Sequence, residues 1–524
     1  MKQKPTILNR RQFLKAVSIG TVGFMSGAVG GFFDRSVSAA VQNPRARADF
    51  MPDLDIALTA IPDEVPIFPG LATRVWRYKS ELIKGEPNSL IDIPESYLGP
   101  IIRANKGARV RIRLTNEVPA NTIVHWHGLH VPADMDGHPR YVIPQGQTYL
   151  YEFEVKNRAG TYWYHPHPHG QTGYQVYGGL AGLFLVADAE EKAAGLPSGE
   201  FDIPLVLQDR SFDGDNQLVY LPGGRMELMT GFIGDRILVN GIPDYTLAVA
   251  TRSYRLRLLN GSNSRIYRLA WQNGQPLTVI GTDGGLLEKP VERQYAFLGP
   301  GERLELWVDF SSYPVGYETM LVSLPFDAGV AGGPMGGGMM GGGRYLRRLP
   351  NGSEFPVIQI KVQRRVTENQ PLPQRLSFVS RINPKTAINY YSPRQFYLFM
   401  GHMRWTINGR TFQMTDVADD EIVRLGTTEV WEFYNTGGGM GMMGMANMPH
   451  PIHLHGKQFQ VLERGGVNHS GYVDEGWKDT VLLMPGERVR ILVGFEDYPG
   501  LYLYHCHNLE HEDMGMMRNY FVKG

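Results

Sequence analysis

The sequence predicts an all-β protein built from repeated β-sandwiches, and three observations carry that prediction. Glycine and proline make up 97 of 524 residues, 62 and 35 respectively, well above the usual ~12%, so the chain turns often. Runs with helical periodicity are scarce. Short segments in which Val, Ile, Tyr and Phe alternate with polar residues recur along the whole length, the period-2 signature of half-buried strands. A chain of this length exceeds one hydrophobic core, and about three domains are expected.

The N-terminal segment stands apart from the fold. "NRRQFLK" at 9–15 places Arg10 and Arg11 before Phe13 and Leu14, and an apolar stretch with five glycines runs from Ala16 to Phe33. "SVSAA" then supplies small residues for cleavage after Ala40. The pattern resembles a twin-arginine export signal over 1–40 and implies the twin-arginine export machinery as a partner and the periplasm as destination. The stretch is short and glycine-rich, which argues against a stable membrane span, and no span is expected in the mature protein. Formal charge is zero, with 52 basic and 52 acidic residues. Removing the segment leaves a net charge of −5, since it holds six basic residues and one acidic one. Nothing in that balance calls for nucleic acid. Cys506 is the single cysteine, so an intramolecular disulfide is excluded. A lone thiol in an oxidising compartment must be buried or occupied, and a metal is one occupant.

An internal repeat organises the rest. "PQGQTYLYEFEV" from Pro144, "PGERLELWVDF" from Pro300 and "PGERVRILVGF" from Pro485 are each a turn followed by an alternating strand. Upstream of each lies a second matching strand: "GARVRIRLTNEV", "TRSYRLRLLNGS" and "TTEVWEFYNTGG". Three copies of one Greek-key sandwich are expected at 50–188, 199–363 and 395–524. The first and third copies lead into histidine clusters; the second leads into none.

Ten of the fifteen histidines fall in four short clusters: His125 and His127; His165 and His167; His450, His453 and His455; His505, His507 and His511. Residues i and i+2 of a strand face the same side, so each H-x-H pair presents two imidazoles to one site. Cys506, between His505 and His507, must face the other way. One strand would then serve two metal sites joined by a few covalent bonds, an arrangement suited to electron transfer. Cys506, His450, His511 and Met516 provide two imidazoles, a thiolate and a thioether, the ligand set of a blue-copper centre. Zinc also accepts Cys and His, but would not account for the neighbouring histidines.

The clusters "HWHG", "HPHPHG", "HPIHLHG" and "HCHNLEHEDMGMM", together with the threefold repeat, resemble the multicopper oxidases, the family of laccases, bilirubin oxidases and bacterial cuprous oxidases. The resemblance covers the whole mature chain. It implies three cupredoxin-like domains, four copper ions, and four one-electron oxidations coupled to the reduction of dioxygen to water. His450, Cys506 and His511 then bind the blue copper, with Met516 axial. His125 and His453 bind the single copper of a trinuclear cluster. His127, His165, His167, His455, His505 and His507 bind its coupled pair. Asp136 in "DMDGHP" and Glu512 beside His511 match acidic positions that assist proton transfer in the family. His169 is read as structural or as a support to the ligands, and His130, His138, His402 and His469 as ordinary histidines.

The reductant is less legible. Thioethers are soft ligands that favour Cu(I). Met440, Met442, Met443, Met445 and Met448 form a run that ends two residues before His450, taken here as the point where electrons arrive, and "GGPMGGGMMGGG" at 332–343 is a second such stretch. Cuprous ion oxidation for copper tolerance is therefore expected, with these five methionines as candidate Cu(I) sites. The resemblance to cuprous oxidases departs in two places: their methionine-rich insert is longer and undivided, and Ala446 stands where they carry an acidic residue. Laccase-type oxidation of small phenols and aromatic amines is the alternative, and copper buffering without turnover a minor one. A monomer is expected.

Overall fold

The computed structural model describes residues 46–329, 349–401, 403–437, 447–466 and 470–524. The export segment 1–40, the stretch 332–343, Met440, Met442, Met443, Met445, His402 and His469 lie outside the described residues. Among those described, six sheets form, and no helix is long and apolar enough to cross a membrane.

Alternation builds the strands as expected. Along Arg109–Asn116, Val110, Ile112, Leu114 and Asn116 are buried, while Arg109, Arg111 and Arg113 stay half-exposed. One face meets a core and the other keeps its charges near water. The sheets fall in three pairs along the chain, with strands drawn from 54–187, from 202–364 and from 394–523.

The repeated sequence segments take the same place in each pair. Arg109–Asn116, Ser253–Asn260 and Thr427–Asn435 each lie between two neighbours. On one side each runs parallel to the strand that opens its unit: Leu54–Val65, Asp202–Arg210 and Arg394–Gly401. On the other side each runs antiparallel to Thr148–Glu154, Arg303–Asp309 or Arg488–Phe495. A parallel neighbour inside an otherwise antiparallel meander requires a crossover to the second sheet, which is the Greek-key connection.

Each of the three central strands ends on a buried asparagine. Asn116 Nδ2 donates to the carbonyls of Ala120 (2.8 Å) and Ile143 (2.9 Å). Asn260 does the same to Arg265 and Leu298 (2.8 Å each), and Asn435 to Met448 (2.7 Å) and Leu483 (3.3 Å). Each side-chain oxygen accepts the amide two residues on. A buried amide satisfied on both ends pins the crossover loop to the sheet. In the first and third units that loop delivers the histidine strands.

Candidate metal centres

Strand parity separates two sites on one short strand. His450–Leu454 pairs antiparallel with Gly500–Cys506, with Ile452 opposite Cys506 and His453 opposite His505. Even-numbered His450 and Cys506 therefore point into the sandwich, where Cys506 belongs to an apolar cluster with Met448, Ile452 and Met516. Odd-numbered His453 and His505 point outward. In the first unit His125 lies opposite His165 and His127 opposite Trp163. The two outward faces meet.

On the inner face, His450 Nδ1 lies 3.4 Å and His511 Nδ1 3.8 Å from Cys506 Sγ. All three residues are fully buried. The short helix Leu509–Asp513 places His511, capped by Asn508, whose side chain accepts from the His511 amide. Met516 is buried in the same cluster, and its carbonyl accepts from the Cys506 amide at 3.0 Å. Burial pushes the Cys506 thiol up, so a thiolate here needs a cation beside it. His450 and His511 offer the neutral imidazoles that a soft cation accepts, because burial holds both low, His511 at about 3.

On the outer face, His125, His127, His165, His167, His453, His455, His505 and His507 gather with no solvent exposure. His125 stacks on His455 with ring centroids 3.6 Å apart, and His127 on His453 at 3.7 Å. Nε2 of His125 lies 3.2 Å from that of His453. His505 Nε2 lies 3.0 Å from His455 Nε2 and 3.4 Å from His167 Nε2. Stacked, buried imidazoles cannot all be cations. Burial together with the neighbouring rings holds His125, His455 and His507 well below the usual value.

Most of these rings are oriented from behind. Nδ1 donates to the Asp136 carbonyl from His125 (2.6 Å), to the Asp479 carbonyl from His453 (2.8 Å) and to the Asp136 carboxylate from His455 (2.7 Å). Those bonds fix the tautomer and leave Nε2 facing the centre. His127 is turned the other way: Nε2 donates to Asp479 Oδ1 at 3.0 Å, and Nδ1 has no partner. His165 Nε2, His167 Nδ1 and both nitrogens of His507 are likewise buried without a hydrogen bond among the described residues. So many orphaned imidazole nitrogens around one centre are costly unless metal ions accept them. The donor set at both sites fits copper.

Two carboxylates flank the outer centre. Asp136 is fully buried and pushed well up by that burial. Glu512 Oε2 lies 3.2 Å from His505 Nδ1 and Oε1 3.4 Å from His167 Nε2. Burial alone would raise Glu512, but the imidazoles of His167 and His505 outweigh it and hold the carboxyl low. His169 is exposed, its ring 4.8 Å from that of Phe412. His138 is satisfied by Asn519 (2.9 Å) and by the Arg140 amide (3.1 Å). Met448, the described member of the candidate Cu(I) run, is 2% exposed in the core.

The second unit, which carries no ligand motif, nevertheless supports both centres, and sequence reasoning missed this. Arg303 is fully buried and donates to Asp479 Oδ1 at 2.8 Å and to the Thr161 carbonyl at 2.9 Å. Gly301 has φ +82°, and a β-carbon there would sit 3.0 Å from the His507 ring and 3.1 Å from that of His127. The carbonyl of Met229, in the helix Arg225–Thr230, accepts from His511 Nε2 at 3.1 Å and from Trp405 Nε1 at 2.8 Å. Asp479 could have been suspected, as a carboxylate next to Thr480 at the start of a strand. The Met229 carbonyl could not, because a backbone acceptor leaves no mark in composition.

Comparison with known proteins places this arrangement. Two family models, each described as multicopper oxidase, match residues 75–191 and 387–524. The chain is 32% identical over 441 residues to the multicopper oxidase mco of Staphylococcus aureus, covering 84% of this chain and 85% of that protein. It is 32% identical over 494 residues to a laccase of Bacillus stratosphericus, covering 82% and 90% respectively. The crystal structure of the McoA multicopper oxidase from Aquifex aeolicus superposes with a TM-score of 0.76 at 37% identity, covering 91% of this chain and 97% of that one.

Proposed function

The chain belongs to the multicopper oxidase family, copper oxidoreductases with cupredoxin-like domains, and from that premise we propose that it oxidises cuprous ion at the expense of dioxygen. His450, Cys506 and His511 would hold the blue copper, together with Met516. His125 and His453 would hold the single copper of the trinuclear cluster. His127, His165, His167, His455, His505 and His507 would hold its pair. When bound, four coppers store four electrons, enough to take dioxygen to water without releasing half-reduced oxygen.

The residues of the chain do the rest. Cys506 links the two sites through its peptide bonds to His505 and His507. Burial favours the neutral acid of Asp136, which offers Oδ1, buried and without a hydrogen bond among the described residues, as the atom that holds a proton, while Oδ2 accepts from His455 Nδ1. Glu512 favours the carboxylate and takes up protons beside His505 and His167. Carboxylates pushed apart in this way divide acid and base roles. His511, rather than His450, carries a hydrogen bond outward, to the Met229 carbonyl. Met226, one turn earlier on that helix, is 51% exposed. This side offers a small organic reductant an approach to the blue site.

The observation that carries the cuprous reading is where the two glycine-methionine stretches are anchored. Gly329, the last described residue before one stretch, packs against the backbone of Asn447, the first described residue after the other. Gly437 also adjoins Asn447, 3.3 Å from its side-chain oxygen to a β-carbon position. The described residues that flank these two stretches, far apart in sequence, thus lie together, three residues from His450. Removing 437–445 is expected to lower the rate on Cu(I) far more than the rate on a small phenol. Equal losses would make the segment structural and the cuprous reading wrong. Laccase-type oxidation of phenols is the second reading, favoured by the half-exposed helix beside His511. We also propose a monomer exported by the twin-arginine machinery to the periplasm, on the strength of Arg10, Arg11 and the single cysteine.

A further inference from the structure

We propose that the chain carries a second ligand site, for a small aromatic carboxylate, in a cavity none of whose walls belongs to the blue-copper ligands. The cavity measures about 630 Å³, within the range of small-molecule pockets. Lys106, Lys156, Arg158 and Lys457 line it together with the rings of Phe378 and Trp477.

Lys457 makes the case. It is 4% exposed, yet its ammonium has only loose partners: the Asp497 carbonyl at 3.4 Å, Asp497 Oδ1 at 3.5 Å and Glu496 Oε2 at 3.7 Å. Charge-assisted hydrogen bonds close at about 2.7–2.9 Å. Asp497 is already engaged by His130 and, at 2.6 Å, by Lys156, and Glu496 is 73% exposed. A buried ammonium held this loosely is unfavourable unless something else accepts its protons.

Arg158 also lines the cavity. Nη2 donates to Ser377 Oγ at 2.8 Å, while Nη1 is buried with no hydrogen-bond partner among the described residues. The lining anions offset these cations only loosely, Glu190 Oε2 lying 3.6 Å from Arg158 Nη2 and Glu496 Oε2 3.7 Å from the Lys457 ammonium. Asp188 accepts the amides of Glu191 (2.8 Å) and Ala159 (2.9 Å), and Glu190 accepts that of Phe378 (2.7 Å). A loosely held ammonium and a guanidinium nitrogen without a hydrogen bond call for an anion. Phe378, at 60% exposure an unusual place for a phenyl ring, and Trp477 call for an aromatic one.

The site shares its wall with the trinuclear centre. Lys457 lies two residues after His455, and Trp477 two before Asp479, the partner of His127. A carboxylate bound there would lie outside both copper sites, whichever reductant the enzyme uses.

Calorimetric titration of the copper-loaded full-length protein tests the proposal, with benzoate, cyclohexanecarboxylate and sulfate at fixed ionic strength. Benzoate should bind at one site and more tightly than either comparison anion. Lys457→Met should weaken it about tenfold or more, the loss expected for a hydrogen bond to a charged group. Arg158→Gln, at a partly exposed position, should weaken it in the same direction and decides the matter if Lys457→Met does not fold. Absence of a benzoate isotherm on the unaltered protein, equal binding of sulfate, or unchanged affinity in the folded variants would overturn the proposal.

Discussion

Arg303 and Asp479 form a fully buried ion pair that ties the second unit to the histidine cluster. Arg303 Nη1 reaches Asp479 Oδ1 at 2.8 Å, Nη2 closes on Oδ2, and Oδ1 also accepts from His127 Nε2 at 3.0 Å. Burial alone would raise the Asp479 carboxyl, but the Arg303 guanidinium and then His127 hold it well below the usual carboxylate range. The unit without ligands thus sets the tautomer of one that has them.

Breaking this pair from one side leaves a buried charge behind. Arg303→Met is expected to destabilise the protein by about 3–5 kcal/mol. Asp479→Asn should also free His127 from its orientation and lower copper content. The double variant should lose less than the sum of the two, which thermal unfolding with metal analysis would measure. Strictly additive losses would show that the two residues act separately.

Cys506→Ser removes the one thiolate from the inner site. The variant should fold, lose the intense blue absorption and lose oxidase turnover, while the outer histidines still take up copper. Visible spectroscopy with copper analysis checks this, and retained colour would refute the blue-site assignment.

Asp136 contacts the cluster at His125 and His455, and Glu512 at His505 and His167. Asp136→Asn and Glu512→Gln should each lower turnover about 10²-fold or more, the range of general acid–base contributions, with copper content unchanged. Steady-state rates set against metal content separate this from ligand loss. Full activity in either variant would remove that residue from proton transfer.

Export is tested by replacing Arg10 and Arg11 together. Precursor should then accumulate in the cytoplasm, and cell fractionation that found undiminished export would reject the twin-arginine signal.

The ligand motifs were legible in the sequence because strands enforce a period of two. H-x-H and H-C-H spacing alone assigns Cys506 to one face and His505 and His507 to the other, and the pairing of His453 with His505 bears out that division. The repeat was legible for the same reason: matching alternation folds into matching sheet positions. Asn116, Asn260 and Asn435 were in plain view in "LTNEV", "LLNGS" and "FYNTG", but hydrogen bonds to loop carbonyls leave no periodic trace. Arg303 carries no mark in its alternating strand, since its partner Asp479 lies 176 residues away. Contacts between units depend on how the sandwiches dock, which no local pattern encodes.

Oxygen uptake on Cu(I) as sole reductant tests the central claim most directly. An oxygen electrode read alongside cupric ion formation should show four cuprous ions oxidised per dioxygen consumed, no peroxide, and a rate above that on a small phenol. Peroxide with two cuprous ions per dioxygen, or a Cu(I) rate no higher than the background without enzyme, would contradict the account.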